Sequence, residues 1–214
     1  MEDRLTPALY LEMTDRAASD YATGRVPEVL AIAGAQRATW WENVVPGRTD
    51  LPRRLPEFSV LGVYEVDAGF TPPPATDDVT GMLFHRYPRP AQGRLTGRAT
   101  IGLSLVLITP KHDDEAQALR DWADFIHINH IAAAVVPGFT TITPYERVDA
   151  GTPRFMHFYE MDTDDPEAAF QAMPALVQAR LGAPGTAAYD EWAWHRALWI
   201  DYVNSFRRLG ERRA

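Results

Sequence analysis

The chain has 214 residues, 46% of them apolar, enough to bury one large core or two small ones. A formal charge of −8 argues against sequence-independent nucleic-acid binding, which needs a cationic surface to displace counterions. Cysteine is absent, which removes disulfides, thiolate metal sites and cysteine nucleophiles.

The opening MEDRLTPALYLEMTD lacks a secretory pattern. No apolar run approaches the roughly 20 residues of a membrane span. A cytoplasmic protein with no membrane or nucleic-acid partner is expected.

In chain order, ALYLEM (8–13) is an apolar run of strand length. A helical stretch follows and ends at Gly34, where a left-handed residue is needed and glycine costs least. QRATWWENV and FSVLGVYEVD read as strands. AGFTPPPATDDVTG stands where a second helix is due, but three consecutive prolines cannot lie in a helix interior. The Pro/Gly-rich YPRPAQGRLTGRAT is a connector.

LSLVLI (103–108) opens a second series of elements. The next helix is capped by Asp113 or Asp114 and carries Leu119, Trp122, Ile126, His130 and Ala133 at helical spacing, ending at Gly138. FTTITPYERV and PRFMHFYEMD read as strands. DDPEAAFQAM starts a helix with Asp165 as N-cap and Pro166 at the first position. WAWHRALWIDYV reads as a last strand.

The two series echo each other. The segment from Asp20 lies over the segment from Asp124 at an offset of 104, pairing Tyr21 with Phe125, Gly34 with Gly138 and Trp41 with Tyr145. VYEVD (63–67) then matches FYEMD (158–162), and FHR (84–86) resembles WHR (194–196). The expected fold is α+β: two tandem ferredoxin-like (β-α-β-β-α-β) repeats, 1–100 and 101–214, the first with its second helix replaced by a loop. Their antiparallel sheets pack face to face as an intramolecular α/β barrel. That arrangement would bury Trp40, Trp41, Trp192 and Trp194, which would otherwise form a large apolar patch.

Trp122, His127 and Val136-Pro137-Gly138-Phe139, followed by a strand ending Tyr145-Glu146-Arg147, resemble the dimeric α/β-barrel superfamily and its EthD-like duplicated members. The superfamily's members include cofactor-independent monooxygenases, polyketide cyclases, decarboxylases, dehydratases, haem-binding peroxidases and proteins without known activity. The family histidine maps onto His127 alone. Thr23 stands in its place in the first half, and Asn129 stands where the family has proline.

Asp124, one helical turn before His127, is placed to fix its tautomer. His127 and His130 share a helical face, but no third ligand accompanies them, so no metal is expected. Along PRFMHFYEMD, Phe155, His157 and Tyr159 point one way and Met156 and Phe158 the other. The first half alternates likewise: Val60, Gly62 and Tyr64 against Leu61 and Val63. The polar set is expected inside the barrel and the aliphatic set under the helices. The candidate catalytic residues are Asp124, His127, His157, Tyr159 and His195, with Tyr64, His85, His130, Tyr145 and Trp194 as ligand contacts. The plainer reading makes them hydrogen-bonded or packed core groups. Arg86, Arg89, Arg94 and Arg98 of the connector suit an anion clamp or a solvated surface.

Several functions stay open. The first is a cofactor-independent enzyme of lyase, dehydratase, decarboxylase or cyclase type, acting on a hydrophobic, aromatic or polyketide-like molecule. His127 or His157 would be its base and Tyr159 its proton donor. The others are a non-catalytic binding or structural protein, a cofactor-free monooxygenase, and haem binding through His157 or His195. No cofactor is expected, and the chain is a monomer or homodimer. An interior cavity of roughly 300 Å³ or more lined by His and Tyr separates enzyme from filled barrel.

Overall fold

The computed structural model describes residues 6–214. Nine strands carry the fold: β1 (Ala8–Thr14), β2 (Ala35–Asn43), β3 (Val60–Val66), β4 (Val79–Arg86), β5 (Gln92–Gly93), β6 (Gly102–Pro110), β7 (Phe139–Arg147), β8 (Phe155–Met161) and β9 (Leu198–Arg213). Four helical segments accompany them: α1 (18–30), α2 (113–133), α3 (Pro166–Leu181) and α4 (Ala187–Ala193). Asp165 caps α3 by accepting from the Ala168 amide, with Pro166 at the first position. Between β3 and β4 there is no helix, only the Pro72–Pro74 segment.

Each half has the ferredoxin-like strand order, β4-β1-β3-β2 and β9-β6-β8-β7. The halves join at two antiparallel seams, β2 to β9 and β4 to β7, so eight of the nine strands close into a barrel. Closure satisfies the strand edges that an isolated half would expose. β5 pairs with the stretch of β7 that β4 does not reach.

The two sheet faces are the reverse of the expectation. Leu61 and Val63 of β3, and Met156 and Phe158 of β8, lie in the barrel interior with Leu9, Leu11, Phe84, Leu105 and Phe206. Tyr64, His157 and Tyr159 face outward beneath helices. The physical reason is room and partners. The interior of an eight-stranded barrel is just wide enough for side chains to fill, whereas the helices bring polar groups that can pair with His157 and Tyr64.

The last strand is also displaced. α4 ends at Ala193, Trp194 to Ala197 form the connection, and β9 begins only at Leu198. The FHR and WHR triplets are therefore not structural duplicates. Leu9 pairs with both Glu65 and Phe84, and Leu103 with both Glu160 and Phe206, so the counterpart of His85 is Arg207. The four tryptophans are not all buried between the sheets: Trp41 lies in the barrel and Trp40 packs across Gly210 at the β2–β9 seam, whereas Trp192 lies against α2 and Trp194 is 50% exposed.

The first helix of each half, α1 and α2, contains a π turn, at Tyr21–Arg25 and Ala123–His127. This places Arg25, rather than Thr23, opposite His127. Val26 and Val29 are buried in one half as Ile128 and Ile131 are in the other. Helical residues thus match at an offset of 102 and the closing glycines at 104, so the second half holds two extra residues between helix and strand.

Candidate functional site

The outward face of β8 places His157 under the π turn of α2. Its Nε2 lies 3.0 Å from Asp124 Oδ1, and both side chains are buried. Asp124 Oδ2 accepts from Arg89 Nη1 at 2.9 Å, and Arg120 Nη1 stands 3.8 Å from Oδ1. Burial pushes the His157 pKa down, and the Asp124 hydrogen bond opposes it. Arg120 is held between the rings of Phe155 and Tyr87, 3.9 and 4.2 Å from their centroids, and donates to the Tyr145 carbonyl at 2.7 Å. Burial lowers its pKa to about 10.

His127 does not join this group. Its Nδ1 donates to the Trp192 carbonyl at 2.9 Å, while Trp192 Nε1 donates to the His127 carbonyl at 3.2 Å. The two rings stack at 5.4 Å and 5°. Trp122 lies 5.0 Å from the imidazole and itself stacks with His195 at 5.5 Å. Burial lowers the His127 pKa to about 4, which makes it a neutral packing group at neutral pH.

The remaining sequence-selected residues are dispersed. Tyr159 packs edge-on against Phe139. Tyr145 lies in the barrel interior. His85 is exposed on β4, His130 is half-buried near the end of α2, and Trp194 is exposed. His195 precedes β9 and accepts from the Ala197 amide through Nδ1 at 3.3 Å. Only Asp124 and His157 meet as a hydrogen-bonded pair.

Tyr64 belongs to a polar cluster that sequence reasoning missed. Glu12, buried on β1, accepts from Arg25 Nη2 at 2.6 Å and from Arg25 Nε at 3.0 Å. The hydroxyls of Tyr21 and Tyr10 donate to it at 2.9 and 3.1 Å, and Tyr64 lies 3.4 Å away. Burial and the neighbouring carboxylate raise the Tyr10 pKa, so the phenol stays protonated. The available signal was Glu12 itself, the one charge in ALYLEM.

A cavity of about 320 Å³ opens beside this cluster. Tyr10, Arg25, Gly81, Leu83, Arg147 and the Pro72–Pro74 segment line it, where the first half lacks a second helix. A second hollow of about 200 Å³ lies between β5 and the end of α2. Neither is lined by a histidine.

Haem, implied by the fold's wider membership, does not fit the proposed histidines. His157 Nε2 is engaged by Asp124, and the outer face of the second half is packed by Ile128, Ile131, Met173 and Val177. His195 lies in the stack against Trp122, with Nδ1 taken by a backbone amide. Among the described residues, no group of three or more His, Asp or Glu side chains forms a metal cluster. No helix among them is long and apolar enough to cross a membrane.

No protein-family model and no curated protein sequence matches the chain. Solved structures do. An anthrone oxidase-like protein has a TM-score of 0.52 at 12% identity, covering 96% of this chain and 92% of its own. A candidate monooxygenase of Lactobacillus acidophilus NCFM has 0.51 at 12%, covering 97% and 96%. A mutant chlorite dismutase from Candidatus Nitrospira defluvii, in complex with cyanide, has 0.51 at 9%, covering 96% and 92%. At these identities the likeness is one of fold. The chain thus has the dimeric α/β-barrel fold, with both ferredoxin-like halves carried on one polypeptide.

Proposed function

We propose that this protein binds a small, flat, largely hydrophobic molecule in the 320 Å³ cavity of its first half. The volume is at the lower end of the ~300–1,000 Å³ range of small-molecule sites. Prolines and Leu83 supply apolar walls, and Tyr10 and Arg25 the polar end. Arg25 is already neutralised by Glu12 and Glu28, and Arg147 by Asp149, so a neutral ligand suits the site better than an anion.

The observation that carries this reading is the position of the cavity beside the Tyr10–Glu12–Arg25 cluster, with no histidine in its lining. That arrangement favours binding over His/Tyr acid–base chemistry of lyase, dehydratase, decarboxylase or cyclase type. Glu12 is occupied by hydrogen bonds from Arg25 and the tyrosines, the only hydroxyl proton of Tyr10 is given to Glu12, and Asp149 is paired with Arg147, so the cavity holds no free base. The name of the structurally similar anthrone oxidase-like protein supports an aromatic ligand class. The closer EthD-like resemblance rests on the Trp122, His127 and Val136–Phe139 pattern alone.

The test is a fluorescence titration with 2-naphthol. Saturable binding is expected, unchanged in His157→Gln and abolished by Ala75→Trp, which fills the cavity from an exposed wall position. Binding that survives Ala75→Trp would overturn the assignment.

A further inference from the structure

We infer that the 200 Å³ hollow between β5 and the end of α2 is a second, independent binding site, for a short-chain or medium-chain monocarboxylate. Its wall is apolar, formed by Ile131, Val136, Phe139 and Ile142. The connector that closes it is held in place on both sides. Gln92 donates to the Asp124 carbonyl at 2.5 Å and accepts from Asn129 at 3.2 Å, while the Arg94 amide donates to the Thr140 carbonyl at 2.7 Å. Gly93, at φ +120°, permits this approach, since a Cβ there would lie 2.1 Å from the Thr140 oxygen. Fixed on both sides, the hollow cannot shrink by moving the connector inward.

The mouth has the features of an amphiphile site. Leu95 is 70% and Val135 54% exposed at or beside the rim. Val135 is a β-branched residue at φ 51°, a genuine outlier, in the helix-to-strand segment where the second half has two extra residues. Charge supplies the second observation. In the same connector Arg89 pairs with Asp121 and Asp124, and Arg98 lies 3.7 Å from Asp162. Arg94 lines the hollow, and among the described residues no carboxylate comes within ion-pair distance of it. An apolar wall ending at an unpaired guanidinium matches an alkyl chain ending in a carboxylate. The volume lies below the ~300 Å³ at which drug-sized sites begin, so the chain is short.

Isothermal titration with octanoate, and with 1-octanol as its uncharged counterpart, tests the site. One-to-one saturable octanoate binding is expected. Arg94→Gln, a surface change, should weaken octanoate by about tenfold, the loss of one charge-assisted hydrogen bond, and leave octanol unaltered. Ala132→Trp should abolish binding of both, and Ala75→Trp, in the other cavity, should change neither. The proposal is overturned by absence of saturable octanoate binding, by equal affinity in Arg94→Gln, or by binding that persists in a folded Ala132→Trp.

Discussion

Asp124 and His157, 33 positions apart, meet at 3.0 Å on the outer wall of the barrel, between α2 and β8. At the duplicate place in the first half stands Gly62, and the Tyr21 hydroxyl occupies the volume its side chain would need. Each half therefore has one polar group from its helix reaching the centre of its sheet. In the second half it is a carboxylate meeting an imidazole; in the first it is a phenol meeting Glu12 and Tyr64.

Asp124→Asn removes the carboxylate that Arg89 and His157 share and leaves the buried Arg120 without its nearest counter-charge. Breaking a buried charge network in this way costs about 3–5 kcal/mol. Urea unfolding should show that loss in the midpoint with the slope unchanged. A loss below about 0.5 kcal/mol would mean that the network is solvated.

The buried histidines make stability fall on the acid side. Burial lowers the folded-state pKa of His127 to about 4 and depresses that of His157, below the ordinary 6.5. The unfolded chain therefore binds more protons as pH drops below about 6.5. The stabilisation these histidines contribute is fully present above that pH and is lost progressively as pH falls toward 4. His127→Phe, which keeps a ring between Trp122 and Trp192, should flatten the melting temperature against pH across this window. An unchanged slope would remove His127 from the effect.

Gly62→Ala places a Cβ 1.8 Å from the Tyr21 hydroxyl oxygen. The phenol must leave Glu12 and Tyr64, and overpacking of this kind costs about 1–3 kcal/mol. The double variant with Tyr21→Ala should recover part of the loss if the clash is its cause. A double-mutant cycle with no coupling term would refute the contact.

Val135→Gly relieves a left-handed conformation that a β-branched side chain tolerates poorly. The strain of about 1–3 kcal/mol exceeds the roughly 0.5–1 kcal/mol entropic cost of glycine. A melting temperature raised by a few degrees is expected, and a lowered one would show that Val135 packs productively at the rim.

Much of the architecture was legible in local pattern. Gly34 and Gly138 both adopt positive φ at the end of their helices, and Asp165 with Pro166 starts α3 as the capping rules require. The alternation of Met156 and Phe158 against His157 and Tyr159 does mark the two faces of β8. Which face is inside was not legible, because turning a strand over leaves a two-residue period unchanged. Both faces of β3 and β8 are buried, so hydrophobicity could not distinguish them. The start of β9 was hidden because WAWHRALWIDYV has no glycine or proline to mark the helix end before Leu198.

By itself, then, the sequence determined a duplicated pair of βαββ units, the interrupted second helix of the first half, and which side chains share a strand face. Only the tertiary structure decided that the barrel is filled with leucine, methionine and phenylalanine, that His157 is sealed beneath a helix and His127 packed between tryptophans, and that the larger cavity lies outside the wall over Glu12. Periodicity acts along the chain, whereas barrel closure and the pairing of Glu12 with Arg25 or Asp124 with His157 depend on distances across it.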